Sequence, residues 1–101
     1  MATTLKPLFR GAATTTLTTT LYTVPATTST IVTNIVVTNT TSTAQTFDIS
    51  LNGTKLCQSY PIAGFGVVTF DIRQVLLTTQ IVAGGASAIT VNMHISGAEI
   101  V

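Results

Sequence analysis

The sequence predicts an all-β chain: an antiparallel β-sandwich, jelly-roll-like or immunoglobulin-like, of about seven to eight short strands with an extended N-terminal arm. Three observations lead there. Apolar and polar residues alternate over Gln45–Leu51, Val67–Ile72 and Ala88–Ser96, the period-two pattern of half-buried strands. Turn signals separate the apolar stretches at intervals of roughly 8–12 residues. Threonine is 23 of the 101 residues, and a β-branched side chain keeps its χ1 freedom better on a pleated sheet than in a helix. No helical period of useful length appears, which argues against parallel strands joined by crossover helices.

The elements follow in order. Met1–Arg10 sets Leu5, Leu8 and Phe9 around Pro7; a proline fits an edge strand or an arm lying on a neighbour. Gly11–Thr20 is uncharged, Thr-rich and partly extended. Residues 1–20 are therefore read as an arm and residues 21–101 as the sandwich. Leu21–Val24 is a short strand stopped by Pro25. Thr30–Asn39 is apolar on both faces (Ile31, Val32, Ile35, Val36, Val37), as a central or covered strand must be. Across the polar break Thr40–Ala44, it is expected to form a hairpin with Gln45–Leu51. There Phe47, Ile49 and Leu51 face one way and Thr46, Asp48 and Ser50 the other.

Asn52-Gly53 is a two-residue hairpin signal, because a type I′ turn needs positive φ at both positions; Thr54–Tyr60 is the return strand. Pro61–Gly66 reads as a loop. Val67–Ile72 turns Val68, Phe70 and Ile72 inward, and Arg73–Leu77 reads as a corner or a single helical turn. Gln80–Ala83 is a short strand broken by Gly84-Gly85. In Ala88–Ser96, Ile89, Val91, Met93 and Ile95 face in. Gly97 marks a bend, with a tail or added strand beyond it.

Only 7% of residues are charged, against roughly a quarter in typical soluble domains. Such a surface has little electrostatic protection against association, so a dimer, a trimer or a larger assembly is expected. The cations Lys6, Arg10, Lys55 and Arg73 are scattered and offset by Asp48, Asp71 and Glu99, leaving no basic stripe for nucleic acid. No apolar run approaches the ~20 residues of a membrane-spanning helix. Met1–Arg10 lacks the apolar core of a signal peptide, which predicts synthesis in a cytosol.

Catalysis finds little support. Asp48 and Asp71 read as outer-face charges or as partners of Lys55 and Arg73, and His94 as a surface residue. A hydrolytic site would need Asp48, Asp71 and His94 within hydrogen-bond reach in a cleft. One His, one Cys and three acids do not make a metal site, and the Gly-rich pieces do not follow a phosphate-loop pattern. No catalytic, metal or cofactor site is therefore expected. Cys57 reads as a small buried hydrophobe. Tyr22, Tyr60 and Phe65 could stack sugars as a carbohydrate-binding module would, but packing in the core or at an interface is the more common use.

The stretches LYTVPATTSTIVTNIVVTN (Leu21–Asn39), QTFDISLNG (Gln45–Gly53) and HISGAEIV (His94–Val101) resemble a group of small β-sandwich virion proteins of tailed bacteriophages. The matching positions are Leu21–Ala26, Thr28–Asn39, Phe47 and Gly97–Ile100. Many such proteins carry an acidic turn before the penultimate strand; this chain has Thr78-Thr79-Gln80, which weakens any cation-binding role. The resemblance implies a non-enzymatic virion protein made in the bacterial host. It would serve first as capsid cement or decoration bound to the major capsid protein or other virion proteins, and otherwise as a neck, tail or fibre component. The residues expected at protein interfaces are Leu5, Leu8, Phe9 and Arg10 of the arm, with Tyr22, Tyr60 and Phe65.

Overall fold

The computed structural model describes residues 2–101, and Met1 lies outside them. Eight strands run β1 Thr3–Ala12, β2 Thr19–Thr23, β3 Ser29–Asn39, β4 Gln45–Leu51, β5 Thr54–Ile62, β6 Val67–Leu76, β7 Ile81–Ala86 and β8 Val91–Ile100. They form two four-stranded antiparallel sheets, β1-β8-β3-β6 and β2-β7-β4-β5. That order is a jelly roll, which decides between the two sandwich types the sequence allowed.

The register explains the order. Asn52 and Gly53 have φ of 48° and 83°, the turn anticipated from the sequence. Leu51 lies opposite Thr54, Val37 opposite Val68, Tyr22 opposite Val82, and Thr3 opposite Ile100. Partners thus sit at nearly equal chain distances from Asn52-Gly53. The protein is one long hairpin, folded about that turn and rolled so that β3 also pairs with β8 and β4 with β7.

The inward faces match the alternation. Val32, Ile35, Val37, Met93 and Ile95 of the first sheet meet Phe47, Ile49 and Val82 of the second, all with no solvent exposure. At roughly 1.5–3 kcal/mol for each large aliphatic side chain removed from water, this layer is the main source of stability.

Several expectations need correction. β3 and β4 are not a hairpin. β3 is flanked by β8 and β6, so no edge is free for β4, and Thr40–Ala44 carries the chain across to the other sheet. Residues 1–20 are not a separate arm: Thr3–Ala12 is an edge strand laddered along its length with β8. Pro61 lies inside β5, where an edge position needs no N–H. β6 continues through Arg73 to Leu76, with no helical turn. Gly84-Gly85 lies within β7 and Gly97 within β8. These glycines are there because backbone crowds them: a Cβ on Gly84 would lie 2.4 Å from the Asp48 carbonyl oxygen, and one on Gly97 would lie 2.0 Å from that of Ile31. Ile89 is not a strand residue; it stands in the loop before β8, 67% exposed.

The sequence offers few Lys or Glu to guard the sheet edges. Irregularity guards them instead. In β1 the register slips at Leu8, next to Pro7. In β2 it slips at Leu21. β5 has two slips, around Leu56 and around Gln58-Ser59, and β6 has one at Ile72-Arg73. At three edges the extra residue is a leucine: Leu8 joins the core, and Leu21 and Leu56 pack against it.

Candidate assembly surface

The loops gather at the two ends of the roll. At one end, backbone bonds tie four of them to one another or to the strand ends beside them. Phe65 N–H donates to Thr41 O at 2.8 Å, Thr40 N–H to Thr90 O at 3.1 Å, Ser87 N–H to Thr46 O at 2.9 Å, and Ala86 N–H to Thr14 O at 2.9 Å. Asn39, almost wholly buried, braces two of them, 40–44 and 63–66. Its Nδ2 donates to Thr43 O and Ala63 O, and its Oδ1 accepts from Thr41. Segments 13–18, 40–44, 63–66 and 87–90 contain no charged residue. They and the start of β6 expose Leu17, Phe65, Ile89 and Val67.

Phe65 is the least expected residue there. Its φ is 55°, a left-handed conformation that is a real outlier for a bulky side chain and costs on the order of 1–3 kcal/mol. Its ring is nonetheless 70% exposed. Gly64 on one side cannot carry a side chain, since a Cβ would lie 2.1 Å from Ser42 O. Stability alone would favour Gly or Asn at position 65. The loop instead holds an aromatic ring outward.

The other expected interface residues do not share that surface. Leu5 is 83% exposed, on β1 towards the opposite end; Leu8 is in the core. Phe9 packs partly against the core, and Arg10 lies exposed opposite His94. Tyr60 leans on Phe47 (centroids 5.4 Å apart) and on Phe70 (5.7 Å), closing the gap between the edges of the two sheets. The Tyr22 hydroxyl on β2 reaches Thr30 at 2.8 Å and Glu99 at 2.5 Å, both on the first sheet. Burial, then the hydrogen bond to Glu99, pushes its pKa up to about 12. The tyrosine stays a neutral donor stitching the sheets together. Tyr22, Tyr60 and Phe65 therefore form no common stacking platform. Leu17, Val67 and Ile89 were not legible as exposed residues: Leu17 lies in the low-complexity run, Val67 begins a strand, and Ile89 mimics the alternation of β8.

The acids are dispersed as well. Asp71 accepts from Asn34 Nδ2 at 3.2 Å on the first sheet, and His94 is in another row of that sheet. Asp48 is in the second sheet, 3% exposed, rather than on an open outer face. It accepts from Lys55 Nζ at 2.8 Å and Ser59 N–H at 2.9 Å, and the slip at Gln58-Ser59 presents that amide. Burial raises the Asp48 carboxyl, but the hydrogen bonds from Lys55 and Ser59 outweigh it and hold it below the usual carboxylate range. Burial pushes the Cys57 thiol up. No group of three or more His, Cys, Asp or Glu gathers among the described residues.

A lowered carboxyl contributes stability above its unfolded pKa, and that contribution is lost as pH falls through the folded value. Asp48→Asn should therefore cost about 1–2 kcal/mol at pH 7, with Lys55 41% exposed and partly screened. The difference from the parent should shrink below about pH 4. Urea unfolding at pH 7 and pH 3 checks this; an equal difference at both would refute the role given to Asp48.

No protein-family model matches the chain, and no curated protein does. Among solved structures, it is similar to a pentameric capsid protein isolated from metagenomic phage sequences. In one structure the identity is 17%, covering 90% of this chain and 58% of that one, with a TM-score of 0.40. A second, solved by iodide phasing, gives 17%, 90%, 60% and 0.41. This chain thus spans about three-fifths of the capsid protein's length. It is also similar to CBM35 from Paenibacillus barcinonensis, at 16% identity over 96% of this chain and 88% of that one, with a TM-score of 0.41. Likeness at this level says nothing about function.

Proposed function

We propose that the protein is a non-enzymatic structural component of a phage particle, a cement or decoration protein that docks through its uncharged loop end onto the major capsid protein or another virion protein. The observation that carries the docking surface is Phe65: strained, exposed, and set among four loops without a charge. An aromatic anchor ringed by small uncharged residues is the composition of an interface centre. The placing of that surface on a phage particle rests on the strand-pattern resemblance in Leu21–Asn39, Gln45–Gly53 and His94–Val101. The blunted sheet edges turn assembly away from strand pairing between intact sandwiches and leave the loop end to do it.

Phe65→Asn tests this reading. Asparagine tolerates positive φ, so the fold should keep its stability to within about 1 kcal/mol or gain slightly. Binding to the shell, followed by co-sedimentation, should weaken at least roughly thirtyfold, the loss expected for an anchor worth ~2 kcal/mol. It should also be nearly independent of salt between 50 and 500 mM, since no charge is involved. Unchanged binding by a folded Phe65→Asn protein would overturn the proposal.

A further inference from the structure

The chain covers one outer face of the sandwich and leaves the other open. On the second sheet Phe47, Ile49 and Val82 point inward, so Asp48, Ser50 and Ala83 point outward, yet all three are buried. Segment 13–18 runs over Gly85, the residue opposite Asp48: Thr14 O and Thr16 O would lie 2.8 and 2.3 Å from a Cβ there. Lys55 closes over Asp48 itself. On the first sheet the outward rows stay in view. Leu5, Ala98, Ile31 and Val75 lie opposite one another across all four strands. This apolar row ends at each edge in an open side chain, Leu5 on β1 and Val75, 60% exposed, on β6. Nearer the loop end, Asp71 shares a row with Asn34 and Ser96, and Arg10 shares the next with His94. Lys6 pairs with Glu99 and Lys55 with Asp48; among the described residues Asp71 meets no cation, and Arg10 and Arg73 no carboxylate. Thr33, the extra residue where β3 slips against both neighbours, stands beside a hollow of about 390 Å³ that includes Ser96 and Gly97.

We propose that this face packs against the same face of a second copy, about a two-fold axis running along the strands. That rotation exchanges the β1 side of the sheet with the β6 side. Leu5 of each copy then meets Val75 of the other. Arg10 meets Asp71, whose row is ~7 Å from its own, a step that an extended arginine side chain covers. Thr33 of each copy falls over Ser96 and Gly97 of the other, at the hollow. Charge, apolar surface and relief all match themselves under one operation, as an isologous contact demands. A face four strands wide and ten residues long is roughly 19 by 34 Å, on the order of 1,300 Å² for two copies, which is enough for a specific dimer. Twisted sheets stack in this way with strands about 30° apart. In the pair both loop ends point the same way, so the pairing adds to the docking reading and uses neither Phe65 nor a phage shell.

Sedimentation equilibrium of the pure protein tests it. The parent is expected to dimerise. Arg10→Asp alone, or Asp71→Arg alone, should weaken the dimer at least roughly thirtyfold, because each change creates two like-charge contacts. The two together should restore it to within about threefold. Both side chains are exposed, so the single variants keep the fold, and recovery in the double variant cannot come from unfolding. Leu5→Cys with Val75→Cys gives a second reading. Within one chain these positions are on the two edges of the sheet, ~14 Å apart and beyond the span of a disulfide. Oxidation should therefore link two copies, with peptides joined between positions 5 and 75 by mass spectrometry. A parent that stays monomeric into the millimolar range, single reversals without effect, or a double reversal that does not recover would overturn the pairing. Phe65→Asn should leave the dimer intact whatever it does to shell binding; a dimer lost in that variant would place the self-contact at the loop end and overturn the pairing as well.

Discussion

Phe47→Ala is expected to lower the unfolding free energy by about 3–5 kcal/mol, the usual range for deleting a buried aromatic ring. Phe47 is the largest fully buried side chain. It belongs to β4, an inner strand of its sheet, and touches both rings that close the gap between the sheets, Tyr60 at 5.4 Å and Phe70 at 6.2 Å. The change therefore opens a cavity and removes the partner on which Tyr60 and Phe70 lean. Domains of this size have roughly 5–15 kcal/mol in all, so the variant should sit near the edge of folding at 37 °C. The urea midpoint measures it. A loss below about 1 kcal/mol would mean that the aromatic triangle is loosely packed and can collapse into the space.

Gly97→Ala should be at least as damaging. The added methyl carbon would lie 2.0 Å from the Ile31 carbonyl oxygen and 3.1 Å from Leu8 Cδ1. The first neighbour is backbone in the adjoining strand and cannot swing away. Overpacking usually costs about 1–3 kcal/mol, and a clash with backbone between two inner strands belongs at or above the top of that range. The expected result is little soluble protein, or a near-ultraviolet dichroism spectrum without fixed aromatic packing. Normal yield and an unchanged urea midpoint would show that β3 and β8 can separate locally at no cost, against the ladder seen there.

These two residues also show what a single sequence could and could not disclose. The inward set on β4 and β8 was readable because alternation is local: Phe47, Ile49, Val91, Met93 and Ile95 point where period two puts them. The β4–β5 hairpin was readable because Asn52-Gly53 settles its own turn chemistry. Gly97 read as a bend, because the carbonyl that forbids a side chain there belongs to Ile31, far away in the chain. The polar run Thr40–Ala44 read as a hairpin loop for the same reason. Whether such a run turns back or crosses to another sheet depends on which edges distant strands have already taken. The candidate surface was the least legible part. Phe65 was named with Tyr22 and Tyr60 as a stacking or interface aromatic, but its positive φ, and the neighbours Leu17, Val67 and Ile89 that join it, follow from the gathering of four loops that no local pattern records.

The nested register about Asn52-Gly53 also sets a timetable. A ribosome delivers β1 first and β8 last, yet these two are partners. β2 waits for β7 and β3 for β6 in the same way, and only β4 and β5 are partners that follow one another in the chain. Such dominance by distant pairings places folding in the slow, millisecond-to-second class. It keeps β1, β2 and β3 without their partners until β8, β7 and β6 have been made. For that interval the few charges (Lys6, Arg10 and Asp48) give little protection against pairing between neighbouring nascent chains, and Pro7 and Pro25 are the residues there that interrupt a strand ladder.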